Sequence, residues 1–205
     1  MTSLRFNEFD YTTLLDALKT YRYPRNRISS LLKKGEIIRI KKGIYLLGPD
    51  QRKTPYVPEI LANMIYGPSY ISLEYALSRY GLIPEGVHTV TSVTSERNRE
   101  FKTPAGRFTY AYLRHEYYPH GVTWTSLPDG RGYLIATPEK ALIDRIYMEK
   151  GISARSAMKE LLFDNLRLDQ NELQRLDHVR MGQLLNRYTE THMKILATVM
   201  GELHE

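Results

Sequence analysis

The chain has 205 residues, with 29 Lys and Arg against 23 Asp and Glu, 42% hydrophobic and 25% charged, a balance suited to one sizeable globular domain or two small ones. It contains no cysteine, which excludes disulfides, thiolate metal sites and cysteine nucleophiles. No apolar run approaches the roughly 18 residues that cross a bilayer, and MTSLRFNEFD lacks the basic start and apolar stretch of a signal peptide, so a cytoplasmic protein with no membrane contact is expected.

In chain order, Asp10 suits an N-cap, and Tyr11, Leu14, Leu15 and Leu18 follow at helical spacing to about Tyr21. Pro24 resets the chain before a second helix from about Arg25 to Lys34, with Ile28, Leu31 and Leu32 on one face. Gly35 fits a left-handed stop. Strands are predicted at Glu36–Ile40 and Ile44–Leu47, joined by Lys41-Lys42-Gly43, where Gly43 supplies the positive φ of a tight turn. GPDQRKTPYVP, Gly48 to Pro58, reads as a linker. Short helices are predicted at Glu59–Tyr66 and from Ser72 to about Tyr80, then strands at 88–94, 107–113, 121–126 and 133–136. Thr137-Pro138 opens a helix to about Glu149, and the remainder reads as helices at 153–163, 169–188 and 190–203.

The predicted class is α+β: a winged helix-turn-helix (1–50), a linker (51–58) and a larger unit (59–205) that is mixed α/β to residue 150 and helical from 151 to 205.

The charge is local. Eight cations and one acid, Glu36, lie between Arg22 and Lys42, a net +7 in 21 residues, so the rest of this +6 chain carries −1. With Ile28, Leu31 and Leu32 facing a core, the second helix turns Asn26, Ser29, Ser30 and Lys33 outward, with Arg27 and Lys34 at the flanks. Asn can pair with an adenine edge, Ser permits close approach, and Lys or Arg meets guanine or phosphate. The candidate DNA-binding residues are therefore Arg22, Arg25, Asn26, Arg27, Ser29, Ser30, Lys33, Lys34, Arg39, Lys41 and Lys42, the last two at the tip of the wing.

Catalytic signatures are weak. His115 and His120 are five apart with Pro119 between them, which does not suit a zinc helix. Glu100-Phe101-Lys102 matches the E-x-K triplet of metal-dependent nucleases, the alternative function, but the nearest carboxylates upstream are Glu96 and Glu85. Lys140 and Asp144 read as a surface i,i+4 ion pair, and Ser72 and Ser153 as helix caps. Tyr110, Tyr112, Tyr117, Tyr118 and Trp124 read as core packing in preference to base stacking. No catalytic residue, metal site or cofactor is assigned.

Four segments carry a family resemblance spanning about residues 10–150: LLKKGEIIRIKKGIYLL (31–47), GPSYISLEYALSRYGLIPEGV (67–87), TSVTSERNREFKTPAGRFTY (91–110) and ATPEKALIDRIY (136–147). Together they resemble the AbiEi antitoxins of abortive-infection toxin–antitoxin systems. The resemblance implies a non-enzymatic transcriptional autorepressor whose winged domain binds inverted repeats in double-stranded operator DNA, as a monomer or homodimer. It further implies that the C-terminal domain counters a nucleotidyltransferase-like toxin without a stable complex. The chain departs from the usual winged helix in having one clear helix, not two, before the recognition helix. A head of about fifty residues is marginal alone and is expected to lean on the rest of the chain.

Overall fold

The computed structural model describes residues 4–203. Strand β1 (Glu8–Asp10), not predicted from the sequence, is followed at once by helix α1 (Tyr11–Ala17), and Asp10 caps that helix by accepting the Thr13 amide at 2.7 Å. Helix α2 (Pro24–Lys33) has Pro24 at its first turn. It ends in a Schellman arrangement: Gly35, at φ +69°, donates to the Leu32 carbonyl, and Glu36 donates to Leu31. Strands β2 (Ile37–Lys41) and β3 (Ile44–Leu47) form the expected hairpin, and β1 adds to β3, giving the order β1-β3-β2. Gly48 donates to the Glu36 carbonyl, and a Cβ there would stand 1.9 Å from the Gly35 oxygen, so only glycine lets β3 leave past the end of α2.

This small sheet is buried on both faces. Phe9, Ile37, Tyr45 and Leu47 pack with Leu14, Leu18, Ile28 and Leu31 of the two helices. Ile40 and Leu46, helped by Ile38, face the other way and belong to the large core of the remaining chain. Alternation along β3 therefore assigns neighbouring residues to different cores. Residues 51–58 are a strap. Asn7 donates to the Thr54 and Pro55 carbonyls at 2.9 and 3.2 Å, buried Glu8 accepts the Val57 amide, and Tyr56 donates to the Ala105 carbonyl at 3.0 Å.

The larger sheet contains β4 (Ser69–Ile71), β5 (Val90–Thr94), β6 (Arg99–Thr103), β7 (Gly106–Tyr112), β8 (Val122–Ser126) and β9 (Gly132–Ala136), ordered β6-β7-β5-β4-β9-β8. β4 and β6 were missed in the sequence, being only three residues long and mostly polar respectively. β4–β9 and β5–β7 are parallel, and the remaining pairs antiparallel. Helices α3 (Pro58–Ile65) and α4 (Leu73–Arg79) join this layer, as does α5 (Pro138–Tyr147), whose Thr137 cap accepts the Lys140 amide. α5 is buried around most of its circumference, which makes it the axial helix of the fold.

The tail supplies α6 (Arg155–Glu160), a wider π-type turn at Leu161–Asn165, α7 (Gln170–Gln174), α8 (His178–Leu185) and α9 (Thr191–Glu202). The single helix expected over 169–188 is two helices. Asp177 breaks it by turning extended and capping α8 through the Arg180 amide at 2.9 Å.

Candidate nucleic-acid interface

Ile28 and Leu31 anchor α2, and the helical step leaves Arg25, Asn26, Ser29, Lys33 and Lys34 exposed. Ser30 and Arg27 are half-buried at the flanks, Ser29 donates its hydroxyl to the Arg25 carbonyl at 3.2 Å, and Arg22 and Arg39 are exposed. Three of the arginines lie over tyrosine rings: Arg27 on Tyr21 at 5.6 Å, Arg22 on Tyr23 at 5.3 Å and Arg39 on Tyr45 at 5.8 Å. Tyr21 and Tyr23 are themselves exposed and were not singled out in the sequence, where a turn tyrosine beside arginine carries no periodic signal. Among the described residues none of the eight cations from Arg22 to Lys42 is paired with a carboxylate.

The two tip lysines part company. Lys42 is exposed. Lys41 turns back, donating to the Ile65 carbonyl at 2.8 Å with its ammonium 4.8 Å from the Phe101 ring centre. A register shift between Arg39 and Lys41 permits that turn. The hairpin tip is also held at its other side, where the Tyr11 amide donates to the Gly43 carbonyl at 2.8 Å.

Lys140 and Asp144 are not the surface pair that i,i+4 spacing suggested. Both are fully buried, with Nζ 2.7 Å from Oδ1. Lys140 also donates to the Tyr117 carbonyl at 3.1 Å and the Tyr188 hydroxyl at 2.9 Å. Asp144 Oδ2 accepts the Tyr70 and Ser72 hydroxyls at 2.9 and 2.8 Å. Burial first and Asp144 second push the Tyr70 and Tyr188 hydroxyls far above the ordinary tyrosine range. Ser72 stands at the start of α4 but makes no side-chain cap bond there, since its hydroxyl is spent on Asp144. The clue in the sequence is that Ala141, Leu142, Ile143 and Ile146 surround the pair on all sides of one helix.

The other candidates disperse. His115 and His120 sit in a turn. Glu100 bonds Arg107 across the β6–β7 hairpin at 2.9 Å, which holds its carboxyl below the usual range, and Glu85 pairs with Arg167. Among the described residues no three His, Asp or Glu side chains are placed to share a metal ion. Tyr110 and Tyr117 are core residues and Tyr118 is half-buried, but Tyr112 and Trp124 are exposed, contrary to the packing expected for all five. Trp124 lies on the same face of the β8–β9 pair as the exposed Leu134, whereas Tyr112 ends β7 on the face of the buried Phe108 and Tyr110.

The architecture is that of a mixed α+β protein with two sheets, and no helix among the described residues is long and apolar enough to cross a membrane. The chain is similar in fold to the RV2827C protein from Mycobacterium tuberculosis, seen in a crystal structure, with a TM-score of 0.62 and 12% identity over 98% of this chain and 73% of that one. No protein-family model and no curated protein matches the sequence.

Proposed function

We propose that the protein is a sequence-specific DNA-binding autorepressor, reading operator inverted repeats through α2 and supporting that contact from the β2–β3 hairpin. The observation that carries this reading is the unpaired cationic and small-polar face of α2, Arg25, Asn26, Ser29, Lys33 and Lys34, with Arg22, Arg39 and Lys42 beside it. Strand, two helices and hairpin, in the sheet order β1-β3-β2, support a winged helix-turn-helix lacking its first helix. Lys41 acts here as a strut to the larger core, which leaves Lys42 as the tip contact.

The antitoxin role, against a nucleotidyltransferase-like toxin, rests on the AbiEi resemblance of residues 10–150. The protein acts in this reading without catalysis, metal or cofactor, and in the cytoplasm.

A gel-shift titration on the protein's own promoter tests the proposal. With five or six cations on phosphates, log K against log salt should slope at about −5, each contact contributing about 0.9. Lys33→Glu with Lys34→Glu should weaken all sequences, whereas Asn26→Ala should narrow the gap between operator and random DNA. Equal, salt-insensitive affinity for both DNAs, unchanged by these variants, would remove the assignment.

A further inference from the structure

We propose that the DNA-binding surface continues past the hairpin tip onto the larger unit, where Arg97 and Arg99 bind phosphates beyond those met by α2 and Lys42. This second contact rests on the DNA-binding reading of α2 and extends it. Lys41 fastens the tip to one place on the large sheet. It donates to the Ile65 carbonyl at 2.8 Å, with its ammonium 4.8 Å from the centre of the Phe101 ring and 6.0 Å from that of Tyr66. Both rings stand beside the segment that carries the two arginines. Arg99 and Phe101 are two apart on β6, hence on one face with their Cα atoms about 7 Å apart. The Arg97 amide donates to the Tyr66 hydroxyl at 3.4 Å.

The charges of the larger unit are unevenly paired. Among the described residues most cations of 59–205 are held by a carboxylate. Arg97, Arg99 and Lys102 are exposed and have no such partner, Lys102 lying on the other face of β6. Of the acids beside them, Glu100 is taken by Arg107 at 2.9 Å, which leaves Glu96. The backbone that presents the arginines is fixed. Asn98, between them, accepts the Tyr112 amide on Oδ1 at 2.6 Å, and Arg99 pairs with Tyr110 in the β6–β7 ladder. A backbone already ordered adds no ordering cost of its own when its side chains bind.

The phosphate backbone of the same duplex is the partner this placement suits. The hairpin has α2 against one face and the large core against the other, so a duplex laid across α2 and the tip, continued in that direction, meets β6. Lys42 adjoins Lys41, and one lysine side chain, one ring contact and one two-residue step of β6 separate it from Arg99. That span is shorter than the roughly 34 Å of one turn of B-DNA. Duplex DNA carries one negative charge per about 1.7 Å of its axis, so phosphates lie within reach along the whole span. The planar guanidinium of arginine matches two phosphate oxygens at once.

A gel-shift titration of the full chain on its own promoter duplex tests this contact. Arg97→Ala/Arg99→Ala, checked for an unchanged melt, should weaken binding at least about tenfold at about 0.1 M salt and flatten the slope of log K against log salt by about 2, at about 0.9 per phosphate. The ratio of operator to random affinity should hold, because phosphate contacts carry no sequence information. Arg187→Ala removes another unpaired cation, beside β8 at the opposite edge of the sheet, and should leave affinity and slope alone. In this cysteine-free chain a Glu96→Cys variant carrying an iron chelate should cut the promoter backbone at the flank of the site, and Arg187→Cys should not. Unchanged affinity and slope in Arg97→Ala/Arg99→Ala, a loss no greater than that of Arg187→Ala, or no cleavage from Glu96→Cys overturns the proposal. Lys33→Glu with Lys34→Glu separates the two readings. If it weakens binding while the arginine variant does not, the second contact alone falls; if neither changes binding, the reading of α2 falls with it.

Discussion

Replacing Lys140 by Met would remove one charge from a site that has no water to replace it. Asp144 would be left at full burial without its cation, with the Tyr70 and Ser72 hydroxyls as its remaining donors, and the Tyr117 carbonyl and Tyr188 hydroxyl would each lose the ammonium. Stranding one member of a buried ion pair costs about 3–5 kcal/mol. For a chain of this size each kcal/mol lowers the melting temperature by about 2–4 °C, so Lys140→Met should melt about 6–20 °C below wild type. Asp144→Asn should cost a similar amount by stranding the ammonium instead. The double variant leaves no uncompensated charge and keeps an Asn acceptor for Tyr70 and Ser72. It should lose less than the two singles together, with a coupling above about 1 kcal/mol. Thermal melts by circular dichroism, with urea titrations for the free energies, measure all four proteins. A Lys140→Met melt within about 2 °C of wild type, or strict additivity in the double variant, would refute the reasoning.

Gly48→Ala would drive a methyl into the Gly35 carbonyl, and overpacking against backbone should cost at least about 1–3 kcal/mol in urea denaturation; a neutral effect would mean that the two turns separate easily. Residues 1–50 alone would expose Ile38, Ile40 and Leu46 and leave Glu8 without Arg131 or the Val57 amide, so a calorimetric scan should show no cooperative transition, and a sharp one would show a self-sufficient head. Burial holds the Tyr118 and Tyr147 hydroxyls up at about 12, and Tyr70 and Tyr188 are raised further by burial and Asp144. Because the folded values lie above the unfolded value of about 10, these groups favour the fold below that pH and lose their contribution as pH rises through 12. Phenolate absorbance should therefore rise in two stages, the second coinciding with unfolding; complete ionisation of all 16 tyrosines near pH 10 in the folded protein would contradict the burial.

Local signals were legible where one physical cause acts over a few residues. Asp10, Gly35, Gly43 and Thr137-Pro138 mark caps and turns whose chemistry is contained in their own φ angles and hydrogen bonds, and the structure places them as read. Helical spacing likewise assigned Ile28 and Leu31 to the core and left Arg25, Asn26, Ser29 and Lys33 of α2 in solvent, while Ser30, expected to face outward, is half-buried. β1, β4 and the break at Asp177 were not legible, because short strands exist only through their partners and a cap competes with helix propensity at a single residue.

By itself, then, the sequence determined which residues start and stop the elements, the α+β character of the chain and the concentration of positive charge between Arg22 and Lys42. Only the tertiary structure decided what lies between layers. It sealed Lys140 and Asp144 inside α5, turned Lys41 away from the hairpin tip toward Ile65 and Phe101, and left Trp124 on an open edge. The reason is one of range: caps, turns and helical faces are set by neighbours within about one or two turns of chain, whereas the burial of a charge or the opening of a strand edge depends on segments far apart in sequence.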